Sequence, residues 1–410
     1  MPSVLPIRSC NKLEAFFATH NVRFAIGTSF VPRQVPRVQT AIEKGVLSHP
    51  ALQYELAEKE TSIIRRRSQP VVSTVDLDSP LEDALERIVH NKDAEKRDVR
   101  IFLLTRGGEG IGLVLDFNHA LCDAKTMQDL LCSFYASLAG SEFKLRTMEY
   151  ETDWVVLVKR SLDSLPTRED DPAFLPFSEA CVSSTDVLCG DQANTHISTR
   201  PADIRVDIPL ETVLAVRTEL RKSGGTLTGL WVFCLQQAIE KIYHENNEGD
   251  GCCVSVSVLV DLRPFLPESS CPPQAFGTVA VSRVVRRDGE RMTGDAVRQG
   301  AAEMSGEVRR RVARGEAHRA ALALCEGRFQ ESGPGEATVE LSNHGVYNLG
   351  RGGEVWATQR NDGYKGCSCI LFSENHSGRM RMIASWGGLN ERLVRQAVRF
   401  AHEVFVMAAT

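Results

Sequence analysis

The 410-residue chain lacks a long uninterrupted hydrophobic run, an excess of positive charge, a repeat of fixed period and a C-x-x-C pair. Each absence removes a class of protein. No window approaches the roughly 20 apolar residues that a membrane helix needs, so no membrane partner is expected. The opening MPSVLPIRSCNKLEAFF holds no apolar core of signal-peptide length, and a cytoplasmic location is the expectation. A net charge of -5 gives no basic footprint for nucleic acid. H-E-x-x-H and clustered Asp/Glu ligands are also missing, so no metal is expected. The twelve cysteines are scattered, several inside apolar segments (Cys132, Cys234, Cys325), and read as reduced thiols in a chain with no secretory signal. By the same reasoning the sequon Asn375-His376-Ser377 carries no weight.

What is present is the composition of a soluble globular protein, 42% hydrophobic and 25% charged, at a length that favours two domains with sizeable cores. "VRFAIGTSF" reads as a strand, and "VQTAIEKGVLSHPAL" spaces Val38, Ile42, Val46 and Leu47 along one helical face. "ALERIVH" reads as a short helix. "DVRIFLLT" and "IGLVLDF" are apolar runs joined by the Gly-rich "RGGEG", the pattern of a hairpin, and "KTMQDLLCSFYASLAG" is an amphipathic helix stopped at Gly140. Periodicity fades into Pro, Ser, Asp and Thr between about 163 and 200. The expected division is an N-terminal lobe over 1–165, a crossover linker over 166–200 and a C-terminal lobe over 201–410. The second lobe mixes strands ("ADIRVDIP", "CCVSVSVLVDLRPF", "GTVAVSRVV", "EVWATQ", "CSCILFSE", "RMRMIASWG") with helices, of which "TLTGLWVFCLQQAIEKIY" is apolar on most sides. The fold class that follows is a two-lobed α/β sandwich.

Chemistry concentrates in "FNHALCDAKTM", Phe117 to Met127, where a buried strand ends and a helix begins. A histidine at a strand terminus beside an interlobe cavity can take a proton from a hydroxyl or amine and return it within one cycle, since its ordinary pKa is roughly 6.5. By spacing alone His119 is either that base or a packing residue. Asp123 is either an orienting partner for His119 or a structural anion paired with an arginine. Arg263 in "VDLRPF" is the arginine that could reach it from the second lobe, and the structural role is favoured. Cys122 stands near His119 but among apolar neighbours, which argues against a Cys–His nucleophile. "GGEGIG" precedes no helix and is a turn rather than a phosphate loop, "CSC" is core packing, and "RRRVARGEAHR" and "IIRRRS" are solvated basic faces.

"NHALCDAKTMQDLL" closing an apolar strand resembles the H-x-x-x-D motif of the chloramphenicol acetyltransferase-like superfamily. That group includes the plant BAHD acyltransferases, condensation domains, polyketide-associated acyltransferases and fungal alcohol O-acetyltransferases. "AIEKGVLSHPAL" is similar to the helix and "HPAL" near their N-terminus, "TLTGLWVFCLQQAI" to a helix of their second lobe, "VSVLVDLRPFLP" with "FGTVAV" to their "vdlRp…G" region, and "VELSNHGVYNLG" to a late "SN-x-G" strand. Almost the whole chain is covered. Ala124 stands where the family commonly has Gly, Asn118 where condensation domains carry a second His, and the plant "DFGWG" motif is missing, with only "ASWGG" near the C-terminus. The resemblance leans toward the alcohol O-acetyltransferase or polyketide-associated branches.

It implies mixed sheets with flanking helices in each lobe, an active-site tunnel at the lobe interface, and His119 as the base that lets an acceptor hydroxyl or amine attack a thioester carbonyl. Asp123 and Arg263 would give structural support. Ser342 and Asn343, with Trp386 a lesser option, would contact the oxyanion or the substrate. No bound cofactor is implied. Acyl-CoA or an acyl carrier protein thioester would be co-substrate and a small molecule, by family analogy a secondary metabolite, the acceptor, with a monomer expected. The alternatives are a condensation-like or cyclising catalyst, and a non-catalytic module that binds a carrier-borne chain.

Overall fold

The computed structural model of the chain describes residues 7–19, 22–57, 62–66, 68–79, 84, 87–88, 99–141, 143, 148, 152–165, 187–188, 202–246, 251–267, 271–286, 292–327, 339–347, 349, 353–360, 366–374 and 378–410. The sequon at 375–377, most of the crossover segment 166–200 and most of the "ALERIVH" helix lie outside these residues.

The first half runs β1 (Arg8–Ser9), α1 (Lys12–Thr19), β2 (Arg23–Gln34), α2 (Val35–Ile42), β3 (Tyr54–Leu56), β4 (Ser62–Arg65), β5 (Val72–Asp76), β6 (Val99–Arg106), β7 (Glu109–Asn118), α3 (Ala124–Leu138) and α4 (Trp154–Ser164). The second runs β8 (Ala202–Pro209), α5 (Leu210–Ser223), α6 (Leu227–Asn246), β9 (Gly251–Asp261), β10 (Phe276–Arg286), α7 (Gly294–Ala313), α8 (Glu316–Cys325), β11 (Val339–Tyr347), β12 (Glu354–Arg360), β13 (Gly366–Glu374), β14 (Arg379–Gly387) and α9 (Glu391–Met407). Strands form a five-stranded sheet, β12-β2-β7-β6-β5, a six-stranded sheet, β10-β9-β11-β13-β14-β8, and a small sheet, β1-β4-β3.

Local chemistry explains the elements that carry the site. Arg106 pairs with Glu109 across Gly107 and Gly108, both at positive φ, so "RGG" makes the two-residue turn that sends β7 back along β6. β7 is apolar on both faces because its sheet is covered on both, by α2 and α3 on one side and by a smaller cluster around Leu104, Val114 and Trp356 on the other. It ends where Asp123 caps α3, its carboxylate accepting from Thr126 N at 3.1 Å. Ala124 is the first helical residue, a position that makes no demand for glycine.

Two large cores flank the sheets. One packs α6, α7 and α9 against the six-stranded sheet, and the other packs α2 and α3 against the five-stranded sheet. β13 belongs to both, with Cys367, Cys369 and Leu371 facing the first and Ile370 and Phe372 the second, which is why "CILF" is a continuous apolar run rather than an alternating one. Two segments cross between the halves. β12, read from the sequence as part of the second lobe, pairs antiparallel with β2 in the N-terminal sheet, and Trp154, Leu157 and Val158 of α4 pack in the C-terminal core. Among the described residues no helix is long and apolar enough to cross a membrane.

Candidate active site

Where β7 ends against the second sheet, His119 is held by its backbone from two sides. Its N–H donates to Val22 O at 2.9 Å, and its carbonyl accepts from the Gln274 side-chain amide. Asn118 Oδ1 accepts from Ala120 N at 2.9 Å and tightens the turn that follows the strand. Phe17 of α1 stacks on the imidazole with ring centroids 4.6 Å apart, while Phe24 and Phe276 approach at 6.4 and 5.8 Å. These rings fix the plane of His119 without using its nitrogens. Among the described residues no hydrogen-bond partner reaches Nδ1 or Nε2. The residue keeps 9% of its surface accessible, and the ring faces a cavity of about 230 Å³ between the two sheets. Burial lowers the imidazole pKa below its ordinary value, an effect opposed by the residue's own backbone and by the nearby Asp123 charge, so the ring is neutral at pH 7.

Asp123 is fully occupied elsewhere. Its two oxygens take Thr126 N at 3.1 Å, Ala275 N at 3.2 Å and Arg263 Nη2 at 2.9 and 2.8 Å, and no bond runs from it to the imidazole. Arg263 in turn donates to Pro272 O at 3.1 Å, Pro273 O at 2.9 Å and Asp261 Oδ1 at 3.1 Å. The segment Pro272–Ala275 therefore straps the H-x-x-x-D turn to the second sheet. Asp123 N and Thr126 Oγ1 both donate to Pro273 O, Ala275 N to Asp123, and Gln274 to His119 O. Behind it Gly277 must be glycine, since a Cβ there would lie 1.9 Å from Ala317 O of α8.

The opposite wall comes from β11. Glu340, Ser342 and His344 alternate onto the cavity side while Leu341 enters the core, as the period of a strand requires. A bulge follows. The register to β13 slips between Asn343 and Val346, Gly345 takes φ +74°, and Asn343 Oδ1 accepts from Gly345 N at 2.9 Å, so "SNHG" spells a bulge. Asn343 Nδ2 also donates to Thr228 Oγ1 at 2.9 Å at the start of α6. From the other lobe Gln128 of α3 donates to Val346 O at 2.8 Å and ties the bulge to the motif helix. A second cavity, about 470 Å³, lies between α5, α6 and β11, with Asn343 bordering both.

His119, Asp123, Arg263, Ser342 and Asn343 thus line one cavity. Trp386 does not. It faces the opposite side of β14, 1% exposed in the C-terminal core, with Arg395 over its ring. Cys122 is buried in the N-terminal core, and burial pushes its thiol far up, so it holds no thiolate. The run "RRRVARGEAHR" is an ion-paired surface, with Arg310 and Arg311 on Glu307 and Arg311 on Glu316. His344 went unread in the sequence although it lines the cavity. Its only signal was its place between Asn343 and Gly345. Among the described residues no group of His, Cys, Asp and Glu could hold a metal ion.

No protein-family model matches the chain, and no curated protein sequence matches it. Solved structures do. The chain is similar to the trichothecene 15-O-acetyltransferase of Fusarium sporotrichioides, at 12% identity and TM-score 0.67 over 100% of both chains. It is equally similar to the polyketide synthase associated protein 5 of Mycobacterium tuberculosis, at 12% identity and TM-score 0.66 over 100% of this chain and 99% of that one. The condensation domain of the monacolin K polyketide synthase matches at 11% identity and TM-score 0.66, over 99% of this chain and 98% of that domain. Likeness at this level of identity speaks for architecture alone. The chain has the two-lobed chloramphenicol acetyltransferase-like fold of these acetyltransferase and condensation-domain structures.

Proposed function

We propose that this protein is an acyltransferase that moves an acyl group from a CoA or carrier-protein thioester to a hydroxyl or amine of a small molecule, with His119 as general base. The observation that carries this reading is an unpartnered, neutral imidazole, clamped by its backbone and by aromatic rings, facing a cavity shared by both sheets. His119 takes the acceptor's proton as its oxygen or nitrogen attacks the thioester carbonyl. The same proton then goes to the departing thiolate as the tetrahedral adduct collapses. Thioesters are electrophilic and leave readily, so positioning, one base and a donor to the oxyanion suffice. Ser342, on the wall opposite His119, is that donor, and Asn343 shapes the bulge that presents it. Asp123 and Arg263 keep the turn in place without touching the ring. The cavity bordered by Asn343 has an apolar floor and Arg217 and Arg221 on its lining, suited to a thioester arm that ends in phosphates.

A condensation-like or cyclising catalyst is the second reading, favoured by the epimerization and cyclization domains among the similar structures. Incubation with labelled acetyl-CoA and a panel of alcohols and amines separates the two. Acyl transfer releases free thiol in step with product, whereas a cyclising enzyme neither binds nor cleaves acetyl-CoA.

A further inference from the structure

Ser342 ends a polar chain of three β11 residues, and the reading above does not use the other two. Tyr347 Oη lies 3.2 Å from His344 Nδ1, and His344 Nε2 lies 3.0 Å from Ser342 Oγ. Phe24 joins the two imidazoles of the cavity, its ring 5.6 Å from His344 and 6.4 Å from His119. Hydrogens follow from satisfying each group. Tyr347 is 0% exposed, and His344 is the one hydrogen-bonding partner of its phenol among the described residues. Burial holds the phenol in its protonated form. A buried O–H without an acceptor is strongly disfavoured, so the phenol donates to Nδ1. Burial also lowers the His344 pKa to about 4, so this ring is neutral and carries one proton. With Nδ1 accepting, that proton sits on Nε2 and points at Ser342 Oγ. The Ser342 hydroxyl, having accepted from His344, keeps its own hydrogen for the cavity.

We propose that His344 is a positioning residue that, held in one tautomer by Tyr347, turns the Ser342 hydroxyl into a dedicated hydrogen-bond donor facing the substrate carbonyl. The direction of the chain matters as much as its presence. Had Nε2 been the acceptor, Ser342 and His344 would resemble the nucleophile and base of a serine hydrolase. The donating phenol blocks that polarity, so Ser342 offers a proton to the oxyanion and forms no acyl-serine. Bonds in series also polarise one another, which strengthens the last donor. The "SNHG" bulge is what makes the geometry possible, because the register slip after Asn343 brings Tyr347 within reach of the imidazole two strand positions beyond Ser342.

The inference rests on the acyl-transfer reading for its purpose but not for its first test. Long-range nitrogen–proton correlation spectra of histidine-labelled protein, with the His344 signal assigned by its loss in His344→Gln, report the tautomer of the folded chain directly. The expected result is a pyridine-type Nδ1 and a protonated Nε2, relaxing to a mixture in Tyr347→Phe. A protonated Nδ1 in the unaltered chain would overturn the proposal whether or not acyl transfer is found. In the kinetic arm, Ser342→Ala lowers kcat about 100-fold, the usual effect of removing one oxyanion donor, with KM little changed, and Ser342→Thr restores most of it. Tyr347→Phe lowers kcat by a smaller factor, and S342A/Y347F is no slower than Ser342→Ala alone. Multiplicative losses in the double variant, or labelling of Ser342 by a fluorophosphonate, would contradict the assigned direction. If no acceptor is acylated at all, the functional reading fails while the spectra still decide the hydrogen-bond chain.

Discussion

Arg263→Ala isolates the strap between the motif turn and the second sheet. The guanidinium, 10% exposed, holds Asp123, Asp261 and the carbonyls of Pro272 and Pro273. Removing it strands the Asp123 carboxylate, 9% exposed, and breaking a buried pair from one side costs about 3–5 kcal/mol. Two backbone donors, Thr126 N and Ala275 N, stay with Asp123, and Thr126 Oγ1 still serves Pro273 O, which places the loss near ~3 kcal/mol, the lower end. Unfolding entropy of about 2.1 cal/mol/K per residue over the whole chain converts this to a melting temperature lower by roughly 3–4 °C if the lobes unfold together. Differential scanning calorimetry measures it. Asp123→Asn in the Arg263→Ala background should recover part of the loss by removing the stranded charge. The variant's turnover, measured below its melting point, should fall far less than that of a variant lacking the base. An Arg263→Ala protein that melts normally and has lost turnover would refute the reasoning, because the arginine would then act on the reacting groups.

Two further outcomes concern protons. His49 caps the "HPAL" turn through Nδ1, which accepts from Ala51 N at 3.2 Å, and burial lowers its pKa from 6.5 to about 4. Its folded value is below its unfolded one, so the unfolded chain takes up the proton first and stability is lost as pH falls from 6.5 toward 4. Urea titrations should show His49→Asn, which keeps a capping acceptor, losing about 2 kcal/mol less than the unaltered chain between pH 7 and pH 5. An unchanged difference would mean that His49 does not titrate with unfolding. For His119, the lowered pKa predicts that the acidic limb of kcat/KM falls below 6.5, since the free-enzyme profile reports the base before substrate binds. A limb above 6.5 would assign the titration to another group.

Much of the fold was legible because it follows from local rules. The hairpin is written in Gly107 and Gly108, the start of α3 in Asp123 and its apolar face, and the buried strands in runs such as "IGLVLDF". The cross-lobe pair was legible for a chemical reason, as a carboxylate at a buried turn needs a cation and Arg263 ends the strand that can supply one. What escaped depends on which strand lies beside which. "EVWATQ" reads as a strand, but nothing in it says that its partner is β2 rather than β14. Trp386 sits on a strand with site-like neighbours, and only the pleat decides that it faces the helices instead. Ser342 and Asn343 were reached through resemblance, whereas His344 needed the register slip between β11 and β13, a property of two strands together.

The central claim is that His119 removes the acceptor's proton. Single-turnover transfer from labelled acetyl-CoA should slow by at least ~10² in His119→Ala, the lower end of what a general base contributes, while the far-ultraviolet circular dichroism stays that of the unaltered chain. Transfer at the original rate in a folded His119→Ala protein would contradict it.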